Sequence, residues 1–234
     1  MLVSAALILL VSAALIITGI RRVPGIGIIG GVVVLGLLAW VRPEHLAQFG
    51  TVMPANMWGT AGLALLLGIA IQLFATMLMD PLLEKLTHKL PDTSVAAGAQ
   101  GNLENLAFWL LTAWLLAAVL EETIYRGFLI NETTRILGTG PTAILLALLF
   151  SSAVFGLSHW YQGRSGILST GSIGLLLGIL FLASGFNIWL PILTHGFIDT
   201  AALLMTFWNA EPKLRQMVWK EQAGNTFPRG EPDQ

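Results

Sequence analysis

The sequence predicts an all-α protein, a polytopic bundle of about seven transmembrane helices, and three observations indicate it. Hydrophobic residues make up 55% of the 234 residues and charged residues only 11%, whereas an average soluble domain is about 25% charged. The mean hydropathy of the chain is +0.77. The hydrophobic residues are also gathered into segments close to the ~20 residues that one membrane crossing needs: Leu2–Ile20, Gly25–Val41, Met57–Met79, Leu106–Leu120 with its continuation, Thr142–Trp160, Ile167–Gly185 and Ile188–Trp208.

The order of these segments predicts one transmembrane domain over residues 1–208. The first segment has no basic stretch before it and no clear cleavage site, so we expect a retained helix rather than a signal peptide. The fourth segment differs from the others because its helical pattern continues from Glu104 to Ile136, which is longer than one crossing. We therefore expect a bend near Gly127, or a second half that lies obliquely at the membrane surface.

Composition also limits the function. The net charge of −1 gives no sign of a nucleic-acid partner, and the absence of cysteine excludes disulfides, thiol catalysis and zinc sites built from cysteine. After the last apolar segment, residues 209–234 form a polar tail, in which residues 213–222 are expected to make a short surface helix. We expect this tail to be cytoplasmic.

The basic residues predict the orientation, because lysine and arginine concentrate in cytoplasmic loops. With the N-terminus outside and the C-terminus in the cytoplasm, nine of the 12 basic residues are cytoplasmic and three are not. The nine are Arg21, Arg22, Lys85, Lys89, Arg164, Lys213, Arg215, Lys220 and Arg229; the three are Arg42, Arg126 and Arg135.

Ionisable residues interrupt three of the apolar segments. Glu121 and Glu122 follow an uncharged run, His159 ends another, and His195 and Asp199 lie inside the last. Placing a charge in a bilayer costs at least about 2.5–3.5 kcal/mol, so such residues are by default assigned a functional role.

Simple counting brings these groups to a similar depth. Glu121 and His159 are each 19 residues from position 140, inside a Gly-Thr-Gly-Pro break. If that break is a turn between antiparallel helices, each residue lies ~28 Å along its helix. Asp199 lies 13 residues beyond the turn around Gly185, or ~20 Å, in the same half of the membrane.

Spacing within each helix predicts pairs, because residues four apart share a helix face. The pairs are Glu122 with Arg126, Phe155 with His159, and His195 with Asp199.

A carboxylate and an imidazole around one water can activate that water as a nucleophile. A second pair of donors can stabilise the oxyanion that forms when water adds to a carbonyl. The residues therefore allow peptide hydrolysis.

Other interpretations of the same residues remain open. Each polar group alone could be a contact between helices. Glu121, His159, His195 and Asp199 are also a plausible ligand set for zinc or another divalent ion, although the chain has no HExxH motif. We favour a site without a cofactor, because adjacent glutamates on one helix cannot both face one ion.

The three motifs, in this order, resemble the CAAX protease and bacteriocin-processing family, also called the Abi family of intramembrane proteases. The family pattern is EExxxR, then FxxxH, then HxxxN or HxxxD, and it is matched by residues 121–126, 155–159 and 195–199. The resemblance covers residues ~104–208. It implies an endopeptidase of the bacterial cytoplasmic membrane that cleaves a membrane-associated peptide or protein within the lipid bilayer.

The resemblance also implies roles for single residues. Glu121 and His159 would activate the water, His195 and Asp199 would form the oxyanion site, and the supporting residues would be Glu122, Arg126 and Phe155. An ionised Asp199 would repel an oxyanion, and the prenyl-processing branch tends to have asparagine there, so the bacterial branch is the better match. The alternative functions are a non-catalytic scaffold or bacteriocin-immunity protein of the same fold and a small proton-coupled transporter.

Overall fold

The computed structural model of the protein describes residues 2–41 and 49–219. Within these residues all regular structure is helical and no strand is present, so the predicted all-α bundle is confirmed. The helices, counted with their π-helical turns, are α1 Leu2–Ile20, α2 Pro24–Val41, α3 Met57–Thr87, α4 Leu103–Leu137, α5 Pro141–Ser158, α6 Gly163–Ala183, α7 Trp189–Phe207 and α8 Glu211–Trp219.

Six of the described helices are long and apolar enough to cross a membrane, namely α1 and α3 to α7. The outer faces of these helices are apolar and exposed, as at Leu9, Leu66 and Leu111, which suits contact with lipid tails. Helix α2 is the remaining apolar helix of the expected seven and has 18 residues, but it is not among these six.

Helix α4 runs unbroken for 35 residues and carries the predicted glutamates. Its irregularity takes the form of wide π turns over Ala113–Glu121 and Thr123–Ile130, with Glu122 between them. Every residue from 124 to 130 is buried within the bundle, while the expected oblique position of this second half at the membrane surface stays a prediction. Gly127 permits close packing at this point, since a Cβ there would lie only 3.3 Å from side-chain atoms of Phe49 and Ile188.

Close helix crossings rely on glycine. On α3, a Cβ at Gly68 would lie 2.6 Å from the Cβ of Phe197 on α7. On α6, a Cβ at Gly174 would lie 2.8 Å from the ring of Phe155 on α5. These glycines let α3 approach α7 and α6 approach α5, the two helices that supply the polar residues of the last two motifs.

The short helix α8 packs against the side of α3. Trp219 donates its ring N–H to the Met77 carbonyl at 2.8 Å, and the Lys85 ammonium lies 4.2 Å from the centre of the Trp219 ring. No residue of α8 is buried, so it is a surface helix as expected, beginning at Glu211 rather than at residue 213. The rest of the tail, from residue 220, lies outside the described residues.

Candidate active site

A cavity of about 490 Å³ lies within the bundle, and the four predicted catalytic residues line it. Glu121 comes from α4, His159 from the residue after α5, and His195 and Asp199 from α7. The structure therefore brings together residues separated by up to 78 positions in the chain (199 − 121). Most of the remaining wall is apolar or weakly polar.

The ion pair expected between Glu122 and Arg126 is present. The Arg126 Nη1 atom lies 2.6 Å from Glu122 Oε1, and the two side chains are 1% and 0% exposed. Arg126 also donates through Nη2 to the Gly174 carbonyl on α6 at 2.7 Å, and its guanidinium lies 4.9 Å from the centre of the Phe155 ring. The arginine therefore connects α4 with α5 and α6.

Glu122 has a second partner that the sequence did not indicate. Its Oε1 atom also accepts a hydrogen bond from His195 Nδ1 at 2.8 Å. The carboxylate thus fixes the orientation of the imidazole and directs its other nitrogen, Nε2, away from α4. Nε2 lies 3.7 Å from Asp199 Oδ2, which is too long for a hydrogen bond and leaves this nitrogen available to another partner.

His159 is held by the end of its own helix. It is the cap residue of α5, and its Nδ1 atom lies 2.8 Å from the Phe155 carbonyl oxygen. A carbonyl only accepts, so Nδ1 must carry the proton and Nε2 is left as an acceptor. The Phe155 ring contacts both histidines. Its centre lies 4.8 Å from the centre of the His159 ring and 6.0 Å from the centre of the His195 ring.

The serine beside His159 has a structural role. The Ser158 hydroxyl donates to the Phe155 carbonyl and accepts from the Tyr125 hydroxyl, both at 2.8 Å. Ser158 is only 5% exposed. Its proton and its position are therefore committed to the helix end, so a serine nucleophile has no support.

The two adjacent glutamates have different surroundings. Glu121 is 7% exposed and lines the cavity, whereas Glu122 is 0% exposed and turned into the packed interior. Adjacent residues on a helix point about 100° apart, which accounts for the division.

The cavity has a second polar end away from these residues. There the Ser169 hydroxyl on α6 donates to Asp80 on α3 at 2.7 Å, and Arg215 on α8 pairs with Glu211 at 3.1 Å. The sequence did not indicate these polar residues as part of a site, although Asp80 directly follows the apolar segment Met57–Met79.

The donor set was also tested for a metal. In residues 2–41 and 49–219, no three or more histidine, aspartate or glutamate side chains converge in a way that could hold an ion. Glu122 and His195 Nδ1 are bonded to each other, so neither atom is available as a ligand. A site without a metal stays a prediction, and no step below passes through a metal.

Comparison with known proteins supports the resemblance drawn from the motifs. The family model described as Rce1-like, type II CAAX prenyl endopeptidase, matches residues 103–201. The match begins at the first residue of α4 and ends within α7, so it contains all seven predicted site residues. Searches of curated proteins and of solved structures each found no match. Residues 103–201 of the chain are therefore similar to the Rce1-like type II CAAX prenyl endopeptidases.

Proposed function

We propose that the protein is an intramembrane endopeptidase in which Glu121 and His159 activate a water that cleaves a peptide bond. The substrate is a peptide or protein associated with the membrane. The observation that carries the proposal is the cavity inside an apolar bundle, lined by Glu121, His159, His195 and Asp199. The match of residues 103–201 to a prenyl endopeptidase family model supports the same reaction class.

The first step is attack by water. The water lies between the Glu121 carboxylate and His159 Nε2, which is an acceptor because Nδ1 is bound to the Phe155 carbonyl. The water oxygen bonds to the carbonyl carbon of the substrate, and its proton passes to Glu121. The electrons of the C=O bond move to the oxygen, which becomes an oxyanion.

The second step is collapse of this intermediate. His195 is flanked by the carboxylates of Glu122 and Asp199, which favour an imidazolium with a proton on each nitrogen. Its Nε2–H donates to the oxyanion. When the carbonyl re-forms, the C–N bond breaks and the proton on Glu121 passes to the leaving nitrogen, which restores the enzyme.

A cleavage assay tests this proposal. The purified protein in phospholipid nanodiscs is given a quenched fluorescent peptide ending in a prenylated cysteine motif, and the same peptide without the lipid. Glu121→Gln and His159→Ala should each abolish hydrolysis and leave the protein folded. The matched control is Glu104→Gln, which removes an exposed carboxylate from the same helix and should retain full activity.

Each outcome has a clear meaning. Near wild-type turnover by Glu121→Gln would show that Glu121 is not the base. A folded wild type that cleaves neither peptide faster than Glu121→Gln would favour the non-catalytic scaffold. Cleavage of the unprenylated peptide at the same rate would show that the lipid is not recognised.

A further inference from the structure

We infer that Tyr161 is a further catalytic residue, whose hydroxyl donates the second hydrogen bond to the oxyanion. This inference rests on the proposed function, because it assigns a role within the same reaction. It adds a residue that lies outside the three motifs.

The position of Tyr161 is the first argument. It belongs to the short 3-10 turn Trp160–Gln162, directly after His159, and it lines the same cavity. Its ring centre lies 5.7 Å from the centre of the His159 ring, and the rings are tilted by 35°. Electrostatic interactions link its hydroxyl with Glu121 and Asp199, so it shares the catalytic end of the cavity.

The second argument is that no acceptor in residues 2–41 and 49–219 holds the proton of this hydroxyl. The Gln162 side chain donates from Nε2 to the Tyr161 oxygen at 3.3 Å. The phenol oxygen acts as the acceptor in this bond, so its own O–H can donate to a group in the cavity. Neighbouring hydroxyls differ, because Ser158 and Thr170 donate to backbone carbonyls of their own helices.

The chemistry of the site requires such a donor. Oxyanion sites use donors placed at the position where the negative charge develops. His195 Nε2 supplies one, but an ionised Asp199 has no proton to give and can only accept. A neutral phenol adds a donor without adding charge, and Tyr161 is placed to supply it.

The other tyrosine of the chain provides a matched control. Tyr125 is 1% exposed, its hydroxyl is bonded to Ser158, and it does not line the cavity. Replacing either tyrosine by phenylalanine removes one hydroxyl and keeps the ring, so the two variants separate a catalytic donor from a structural one.

The test measures turnover and inhibitor binding with wild type, Tyr161→Phe and Tyr125→Phe. Loss of one oxyanion donor lowers kcat by about 10²–10³-fold, and we expect this for Tyr161→Phe with KM changed less than about threefold. A peptidyl phosphinate carries its negative oxygen where the oxyanion forms, so its Ki should rise by the same factor. Tyr125→Phe should lower the melting temperature, with a loss of kcat below about tenfold per folded protein.

The controls keep the two proposals apart. If wild type is active, Glu121→Gln is inactive and Tyr161→Phe matches wild type, only the role of Tyr161 is overturned. An equal rise in KM and in the phosphinate Ki would also overturn it, since this would make Tyr161 a general substrate contact. If wild type is no faster than Glu121→Gln, the proposed function fails and the inference fails with it.

Discussion

Removing Glu122 should destabilise the protein strongly, because the residue pairs with Arg126 where neither can reach water. The side chains are 0% and 1% exposed, and 2.6 Å separates the paired atoms. Breaking one side of a buried ion pair typically costs about 3–5 kcal/mol, because the remaining charge is left without compensation. Arg126 keeps its bond to the Gly174 carbonyl and its contact with Phe155, so we expect the lower value for Glu122→Ala.

This free energy converts to a measurable shift. A loss of about 3 kcal/mol corresponds to a fall of roughly 6–12 °C in Tm for a chain of this size. Glu132→Ala is the matched control on the same helix, because Arg135, which pairs with Glu132 at 3.2 Å, is 38% exposed and can be solvated instead. Glu132 itself is 3% exposed, but its removal leaves no fully buried charge behind, so the control should lose less stability than Glu122→Ala.

The double variant Glu122→Ala with Arg126→Met separates stability from activity. Removing both charges should restore much of the Tm, because no unpaired charge remains in the interior. The kcat should stay low, because His195 still lacks the carboxylate that orients its Nδ1–H. Thermal unfolding in detergent and peptide cleavage on the same samples measure the two quantities. A Glu122→Ala variant as stable as wild type, or a double variant with full activity, would refute this reasoning.

Three further predictions concern packing, Asp199 and orientation. Gly196→Ala should lower both Tm and kcat, because the new Cβ would lie 2.6 Å from the Trp114 ring. Unchanged values in both assays would contradict the close packing of Gly196 against Trp114. Asp199→Asn should keep substantial activity, and Asp199→Ala should lose most of it. We also expect the purified protein to hold no stoichiometric metal. Elemental analysis showing about one zinc per chain, removed together with activity by a chelator, would overturn the metal-free site. Reporter fusions within residues 88–101, which follow the end of α3, and in the tail should give cytoplasmic signals. A cytoplasmic signal from residues 43–56 would reverse the topology.

The sequence predicted those features that depend on local spacing. The Glu122–Arg126 pair follows from the i,i+4 rule, which holds because both residues lie on one helix. The shared cavity of Glu121 and His159 agrees with their equal distance from a turn, which is a property of antiparallel helices of similar rise. The apolar segments could be read as helices because burial and lipid contact both require continuous hydrophobic stretches.

Features that depend on contacts between helices could not be predicted in the same way. Glu122 and His195 are 73 positions apart, and no spacing rule within one helix brings them together. The π turns of α4 also change the direction of side chains, and their presence was not visible in the hydrophobic pattern. Tyr161 lies one residue beyond the predicted apolar segment, which ends at Trp160, and the hydrophobic pattern gives no sign of the tight turn that keeps the tyrosine at the cavity.

The buried ion pair is better explained by positioning than by stability. Well-packed hydrophobic residues in place of a buried pair are often neutral or stabilising, so the pair alone gives no reason for its presence. Here its atoms connect three helices, since Arg126 binds the Gly174 carbonyl on α6 and Glu122 binds His195 on α7. Both residues lie on α4, the helix that places Glu121 in the cavity. One pair of charges therefore fixes the proposed base, Glu121, and the proposed oxyanion donor, His195, relative to each other, which suits a site whose reacting groups come from separate helices.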